Sequence, residues 1–527
     1  MNKSSDTQVD VLIVGAGPSG LMMACQLAMH SVSFLIIDKN TRPSTCSGAL
    51  ILQARTLEIF EQMGIAHDAI ENGIIAENLN MVINNKTLIS VSIKDIGHNL
   101  SQFPYLLMHE QSKTEQLLID FLNKKGKVVS RDTEFKNFTQ ENDEIQSELL
   151  LANGSKQIIR SKYIIAADGV RSTVRNLLNI PFSGKKFSKP IFILDCKANT
   201  QLNTRDISIV FSKTSVAGFF PLQGSRWRID GTIPSEMEPM DIISRENIIQ
   251  NFHNWTNMKI EFEDNEWFSI THSYQQYAHS IQNQNCFIIG DAAHINTPIG
   301  AQGMNAGIQD AFNLAWKLSF VINNKAKPDL LNTYTSERLG ITKGFARYAD
   351  LVFKIVTNTN LTFKFLRFYI IKFFLIFFLP VVKNKKFIRQ SFFISISKIG
   401  INYRRSNLSY LTKNAVYKGK PQSGDRLPYV EFQYKGKLTN DFKILNSLSF
   451  SLLIFAKGCS SEMKLLAERY HLAIKIISFS SNTEKLYEKL GIMNNGYMLI
   501  RPDLHIALRS DSMQTDHLKN YLAKIYI

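Results

Sequence analysis

Hydrophobic and polar positions change period several times along the 527-residue chain. Val9–Val14 (VDVLIV) and Phe34–Asp38 (FLIID) are short apolar runs, as expected of strands buried on both faces of a parallel sheet. Between them Leu21, Met22, Leu27 and Ala28 fall at helical spacing behind a glycine-rich turn, so residues 9–38 read as a βαβ unit. Gln111–Leu122 predicts a helix through Leu117, Leu118, Phe121 and Leu122, and Lys162–Asp168 (KYIIAAD) another buried strand. From 185 to 275 the residues alternate as strands do, as in Arg226–Ile233 (RWRIDGTI), which predicts an antiparallel sheet. Cys286–Gly290 (CFIIG) returns to a buried parallel strand, followed by a long helix over Met304–Asn323. Residues 340–410 read as mostly helical. After Pro421 the pattern changes again, to strands at Leu448–Phe455, Ile474–Phe479, Tyr497–Pro502 and His505–Arg509 and a helix at Ser460–Tyr470. The fold class expected is α/β, a Rossmann-like parallel sheet joined to an antiparallel-sheet domain and a small C-terminal α/β domain.

Composition narrows this little: 44% apolar and 20% charged residues are ordinary for a globular chain and exclude wholesale disorder. The five cysteines (Cys25, Cys46, Cys196, Cys286, Cys459) form no CxxC pair. That argues against a disulfide scaffold or a cysteine metal site, and no metal is expected; a reducing cytoplasm fits best. No secretory signal is read at the start. The charge of +16 calls for an anionic partner, namely nucleic acid, a membrane surface or an anionic cofactor. Nucleic acid is not expected, because zinc spacing, RNP aromatics and a recognition helix are all lacking. Leu361–Lys420 holds 13 Lys and Arg and no acid, around the apolar run Phe373–Val382. That run is too short for a bilayer, which needs about 20 residues. It reads as a buried helix or as a membrane-surface helix giving weak peripheral contact, and both readings stay open.

Three motifs carry chemistry. The first, Gly15-Ala16-Gly17-Pro18-Ser19-Gly20, is a GxGxxG at a strand-to-helix turn. Gly15 permits the turn, Gly17 lets a pyrophosphate approach the backbone, and Gly20 lets helix and strand pack closely. The helix N-terminus then faces phosphate with its partial positive charge. Asp38, followed by Lys39, closes the second strand where a carboxylate can accept ribose hydroxyls. The second motif runs from Ala166 through Asp168, Gly169 and Arg171 to Arg175. The third begins Gly290-Asp291-Ala-Ala-His294 and continues through Pro298, Gly303, Met304, Asn305 and Gly307 to Asp310. A second GxGxxG is not found.

In this order these motifs resemble the single-component flavoprotein aromatic hydroxylases of the p-hydroxybenzoate hydroxylase fold. Gln53-Ala-Arg55-Thr-Leu-Glu58 and Gln111-Ser-Lys-Thr-Glu115 match as well. Tyr403-Arg404, Ser423-Gly-Asp425-Arg426 and Arg501-Pro502-Asp503 resemble members with a thioredoxin-like tail. The resemblance implies an FAD-binding domain in two parts, 1–184 and 276–345, and a substrate domain at 185–275. A basic helical segment at 346–420 and a thioredoxin-like domain at 421–527 would follow. In that tail Cys459-Ser460-Ser461-Glu462 lacks the partner cysteine, so dithiol exchange is excluded.

The resemblance also implies non-covalent FAD, with NAD(P)H as a transient co-substrate. Asp291 would bind ribityl or ribose hydroxyls, and Gln53 and Gln111 would contact the cofactor. Pro298 would lie beside the reacting edge of the isoalloxazine. Gly303, Met304 and Asn305 would offer backbone N–H groups to its pyrimidine end, where a helix N-terminus stabilises the anionic reduced ring. Asp168 and Arg171 would serve both nucleotides, and His294 would orient its loop. The function implied is hydroxylation of an aromatic, phenolic or polyketide-like substrate through a flavin C4a-hydroperoxide. Baeyer–Villiger or quinone-ring oxygenation, the latter at a membrane surface, is the alternative. No catalytic base is assigned. Some relatives carry an arginine or an acid after the second strand, where this chain has Ser47-Gly48-Ala49-Leu50. Arg228, Asp230, His272 and Tyr274 lie on expected substrate-domain strands, where solvent-facing positions explain them equally well. A homodimer is left open.

Overall fold

The computed structural model describes residues 7–44, 48–212, 215–233, 244–295, 303–341, 386–410, 419–493 and 495–527. The expected βαβ unit is present: strand Thr7–Val14, helix Pro18–Met29, strand Phe34–Ile37. Thr7–Val14 lies between Phe34–Ile37 and Lys156–Ala166, parallel to both, and Cys286–Ile288 adds a fourth parallel strand. Val11, Leu12 and Ile13 are fully buried, which is why this run carries almost no polar residue. The hairpin Thr133–Glu141 and Glu144–Leu151 widens the sheet on the side of Lys156–Ala166. The first helix packs against both the long helix Gly303–Ile322 and the helix Gln111–Lys124.

The second sheet has eight strands. Phe182–Thr200, Val216–Leu222, Arg226–Thr232 and Ile260–Ala278 are antiparallel, as the alternation predicts. The sheet does not stay within 185–275. Ile207–Phe211 runs parallel to Asn78–Ile83, which turns back into Lys86–Ser92. The expectation of a purely antiparallel sheet built from one segment is therefore corrected: this is a mixed sheet with two strands from the N-terminal third. The hairpin signal was there, since Asn84 and Asn85 both take positive φ (50° and 58°), as a tight primed turn requires.

The two faces of this sheet differ. Phe192, Leu194, Phe219, Trp227 and Ile229 pack under the helix Arg245–Thr256, with Phe252 edge-on to Phe192 and Phe219. On the opposite face Leu222, Ile207, Ile209 and Phe220 join the core of the first sheet. That second face is where a site between the sheets must lie.

The C-terminal residues form a four-stranded sheet in the order Ala473–Ile476, Ser451–Phe455, Gly496–Ile500, Ile506–Ser510. Its first pair is parallel and the other two are antiparallel. Buried charges join it to the rest. Arg501 donates to both oxygens of Glu337 at 2.6 and 2.9 Å and pairs with Asp503, and Lys317 meets Glu337 at 2.7 Å. Arg55 donates to the Asp503 carbonyl at 2.6 Å. Of the segment expected to be helical, Lys386–Ser397 is a helix. The apolar run Phe373–Val382 lies outside the described residues, among which no helix is long and apolar enough to cross a membrane.

Candidate cofactor and substrate site

The glycine loop sits where three chain segments converge. Gly15 has φ +100°, and a Cβ there would strike the backbone of Ala167 and Asp168, so the first motif abuts the second. A Cβ on Gly20 would strike the Gly15 carbonyl. Gly17 differs, because a Cβ there meets nothing within 4 Å. The helix beginning at Pro18 has Gly17 as its N-cap and no capping side chain, so its positive end is left for a ligand. Ser19 is wedged against the third motif: a Cβ on Gly290 or on Gly307 would strike its Oγ. Asp38 takes the Ala16 N–H at 2.7 Å and the Asn40 N–H at 2.8 Å, which fixes the loop from below. Lys39 is exposed.

Asp168 accepts the backbone N–H groups of Thr173 (2.7 Å) and Val174 (3.3 Å) and so caps the short helix Thr173–Leu177. Burial raises its pKa. Arg171 is exposed, whereas Arg175 is buried, donating to the Ala292 carbonyl at 2.9 Å and stacking 4.0 Å above the Phe182 ring. Arg175 thus ties the second motif to the third.

Asp291 is exposed, and loss of hydration around its carboxyl raises its pKa, with His294 opposing the shift. Gly303, the first residue of the long helix, lies beside it: a Cβ there would stand 3.8 Å from Asp291 Oδ1. His294 is 2.7 Å from Asp310, which accepts from Arg338 at 2.7 Å and from the Gly290 N–H at 3.2 Å. Burial would raise the Asp310 pKa, but Arg338 and His294 override it and hold the carboxyl low. His294 therefore holds its loop, as expected.

Asn305 is fully buried. Its Oδ1 accepts from the Gln53 N–H (3.0 Å) and Thr56 Oγ1 (2.7 Å), and its Nδ2 donates to the Ile51 carbonyl (2.7 Å). Met304 is buried beside it. Gln111 starts its helix and donates to Glu115 at 2.9 Å. Its Oε1 would stand 3.3 Å from a Cβ on Gly48. Pro298 lies outside the described residues. The structural parts of Arg175, Gly307, Asp310 and Arg338 were not anticipated. Asp310 and Gly307 stood inside the third motif, but nothing local to Arg338 marks its partner.

Strand Arg226–Thr232 sends Arg226, Arg228 and Asp230 to the face that meets the first sheet. Arg226 reaches Glu110 there at 3.1 Å. Arg228 is buried and bidentate with Asp195, 2.7 Å on each arm, under the Trp267 ring. Strand alternation puts His272 and Tyr274 on the other face, so the four polar residues noted on these strands do not form one group. Cys459 precedes the helix Ser461–Arg469, which Ser460 caps, and no second cysteine stands beside it among the described residues. A cavity of about 280 Å³ lined by Lys420, Tyr429, Glu431 and Lys489 lies apart from all three motifs.

A family model described as "FAD binding domain" matches residues 8–349. The chain belongs to that family. FAD is its cofactor, and it is a flavin-dependent monooxygenase. The chain is 27% identical to 6-methylpretetramide 4-monooxygenase of Streptomyces rimosus, over 98% of this chain and 93% of that one. It is 29% identical to pentachlorophenol 4-monooxygenase of Sphingobium chlorophenolicum, over 63% and 62%. The fold matches that of aklavinone-11 hydroxylase in a ternary complex with FAD and aklavinone, with TM-score 0.82, 21% identity and 99% of each chain covered. The site fits FAD: Gly17 leaves room against a bare helix N-terminus, and Asp291 stands exposed beside a second helix start at Gly303.

Proposed function

We propose that this flavoprotein hydroxylates a phenolic, polyketide-like ring, with NAD(P)H and O2 as co-substrates. The observation that carries the reading is the convergence of the three cofactor motifs, with Gly15 against Ala167 and Asp168 and Ser19 against Gly290 and Gly307. Full-length likeness to an enzyme named for a polyketide substrate supports it. FAD, when bound, supplies the redox chemistry and the activated oxygen. The protein binds, orients and excludes water. The open end of helix Pro18–Met29 and the backbone around Gly17 hold the pyrophosphate. Asp291 accepts the sugar or ribityl hydroxyls. The start of helix Gly303–Ile322, fixed by the Asn305 side chain, presents its N–H groups to the electron-rich end of the ring. NAD(P)H visits transiently, since the sequence carries one dinucleotide loop.

The first sheet with its strand Cys286–Ile288 is the two-part FAD-binding domain, and the mixed sheet is the substrate domain. The C-terminal unit is thioredoxin-like; a parallel strand pair extended by two antiparallel strands supports this. Phe387 and Phe392, exposed on the helix Lys386–Ser397 at the edge of the basic segment, support weak contact with an anionic membrane surface. Purified protein should be yellow. NAD(P)H oxidation should accelerate when a suitable phenol is added, and one atom of labelled O2 should appear in the product. Oxidation that no aromatic alters, with no oxygenated product, overturns the reading; insertion of oxygen into a ketone ring marks the Baeyer–Villiger alternative.

A further inference from the structure

The strand face opposite the cofactor motifs has an unequal charge balance. Within its central rows Arg228 is the cation, and Asp195 saturates it with two 2.7 Å bonds at a site where both side chains are almost wholly buried. Asp230 lies two residues along the same strand. It is paired in register with Gly218 on one side and Ile193 on the other, and Ser269 follows beyond Ile193. Paired residues share a face, so the row around Asp230 is small and apolar except for one hydroxyl. Its Oδ1 is closed from solvent and has no hydrogen-bond partner among the described residues. An orphaned buried carboxylate oxygen costs free energy unless something fills it. Gly218 carries no side chain, and the Phe220 ring lies over the place one would take, so an aromatic face flanks Asp230 on that side.

We propose that Asp230 receives a hydroxyl of the substrate, first as hydrogen-bond acceptor and then as acceptor of its proton, and that the face selects uncharged hydroxy-aromatics over carboxylated ones. This rests on the hydroxylase reading above and deepens it. The substrate O–H bond breaks and its electron pair stays on the ring oxygen, which raises electron density at the carbon to be attacked. The proton forms an O–H bond on Asp230 Oδ1 and returns to a ring oxygen when the product leaves. Burial, opposed by Arg228 and aided to a smaller extent by Asp195, pushes Asp230 up to about 7, a value suited to reversible proton exchange with a phenol at neutral pH. Arg228 and Asp195 cancel, so Asp230 leaves the row with one net negative charge when ionised. A carboxylate would be repelled, because the cation that would anchor it is already engaged.

The test uses the FAD-loaded protein and matched pairs of polyhydroxylated aromatics with and without a carboxylate, read by the change each makes in the flavin absorbance. Wild type should bind the neutral member of each pair more tightly. Asp230→Asn, close to isosteric, should keep its flavin and weaken neutral phenols about ten- to hundredfold, as loss of a charge-assisted hydrogen bond does. Wild-type oxygenation should rise through pH about 7, and the variant should lose that rise. As a second variant, Asp195→Asn frees Arg228 and should move preference towards the carboxylated member. Equal binding of phenols by wild type and Asp230→Asn, tighter binding of carboxylated members by wild type, or no binding of any hydroxy-aromatic overturns the proposal. Binding that depends on Asp230 without any oxygenated product leaves it standing and removes the hydroxylase reading instead.

Discussion

Asp291 gives the most direct handle on the cofactor. It is exposed beside the start of the long helix, and its raised pKa marks a carboxyl short of hydration, so a bound hydroxyl is a favourable partner for it. Asp291→Ala should weaken FAD by roughly 1–3 kcal/mol, the cost of an unpaired buried polar group. The flavin-to-protein absorbance ratio of the purified variant should fall; an unchanged ratio contradicts the assignment. Asp310 acts one layer behind. Asp310→Asn leaves Arg338 buried against a neutral partner, and urea unfolding should show a loss of about 3–5 kcal/mol. The folded-state pKa of Asp310 is depressed, so its contribution is complete above the ordinary carboxylate pKa and fades as pH falls below it. The gap between wild type and variant should therefore close on acidification. What could be read from the sequence here follows one division. The demands of Gly15, Gly17 and Gly20 are local, so they were legible. The side-chain bonds of Asn305 go to partners 249 to 254 residues away, and the bond of Arg175 to Ala292 spans 117, distances at which no spacing rule acts.

Among elements, the closest approach is between the first helix and the long one. Gly307 has the Gly290 Cα 3.0 Å from where its Cβ would be, with Ser19 nearer still. Gly307→Ala should separate the helices and destabilise the fold by about 1–3 kcal/mol. Ser19→Gly should restore part of that loss in thermal melting, and only part, because the Gly290 backbone stays. No rescue at all would show that Ser19 is not the obstacle. The hairpin Glu431–Tyr434 and Lys437–Asn440 carries a different signature. Asp441 beside it accepts the Val430 N–H at 3.0 Å, and burial pushes its pKa from 3.8 up to about 8. Between those values the folded form holds a proton that the unfolded form has released, so stability declines as pH rises through this window. Asp441→Asn should flatten that decline in melting curves taken from about pH 5 to pH 8. An unaltered slope would place its origin elsewhere. The βαβ unit was legible because its apolar runs are continuous. Strand Asn78–Ile83 was not, since it is recruited by a parallel neighbour far along the chain rather than by its own pattern alone.

At the scale of the whole molecule, the C-terminal unit meets the rest through buried charges as well as through the aromatic contacts of Trp316 and Phe320 with Phe450. Arg501, Glu337, Asp503 and Lys317 are each buried, and each would be stranded without the others. Arg501→Met should cost about 3–5 kcal/mol and should lower flavin release and C-terminal unfolding together, in one transition. Two separated transitions in wild-type calorimetry would show the units to be independent. The order of motifs along the chain was legible in the sequence. The seam was legible only in part: Arg55, Arg501 and Asp503 stood in recognised motifs, but nothing local to Lys317 or Glu337 marks them as the partners.

The bond from Arg55 to the Asp503 carbonyl joins residues 448 positions apart. During synthesis Arg55 leaves the ribosome long before Asp503 exists, while the glycine loop and the first parallel strands are already in solution. Contacts of such sequence separation form late and slowly. A nascent chain therefore passes through a stage in which Arg55 has its local carboxylate partner, Glu58, but not the carbonyl that its other arm will meet. Prematurely terminated products are held at that stage, and the cell's proteases, which track the open population, should clear them in preference to the finished enzyme.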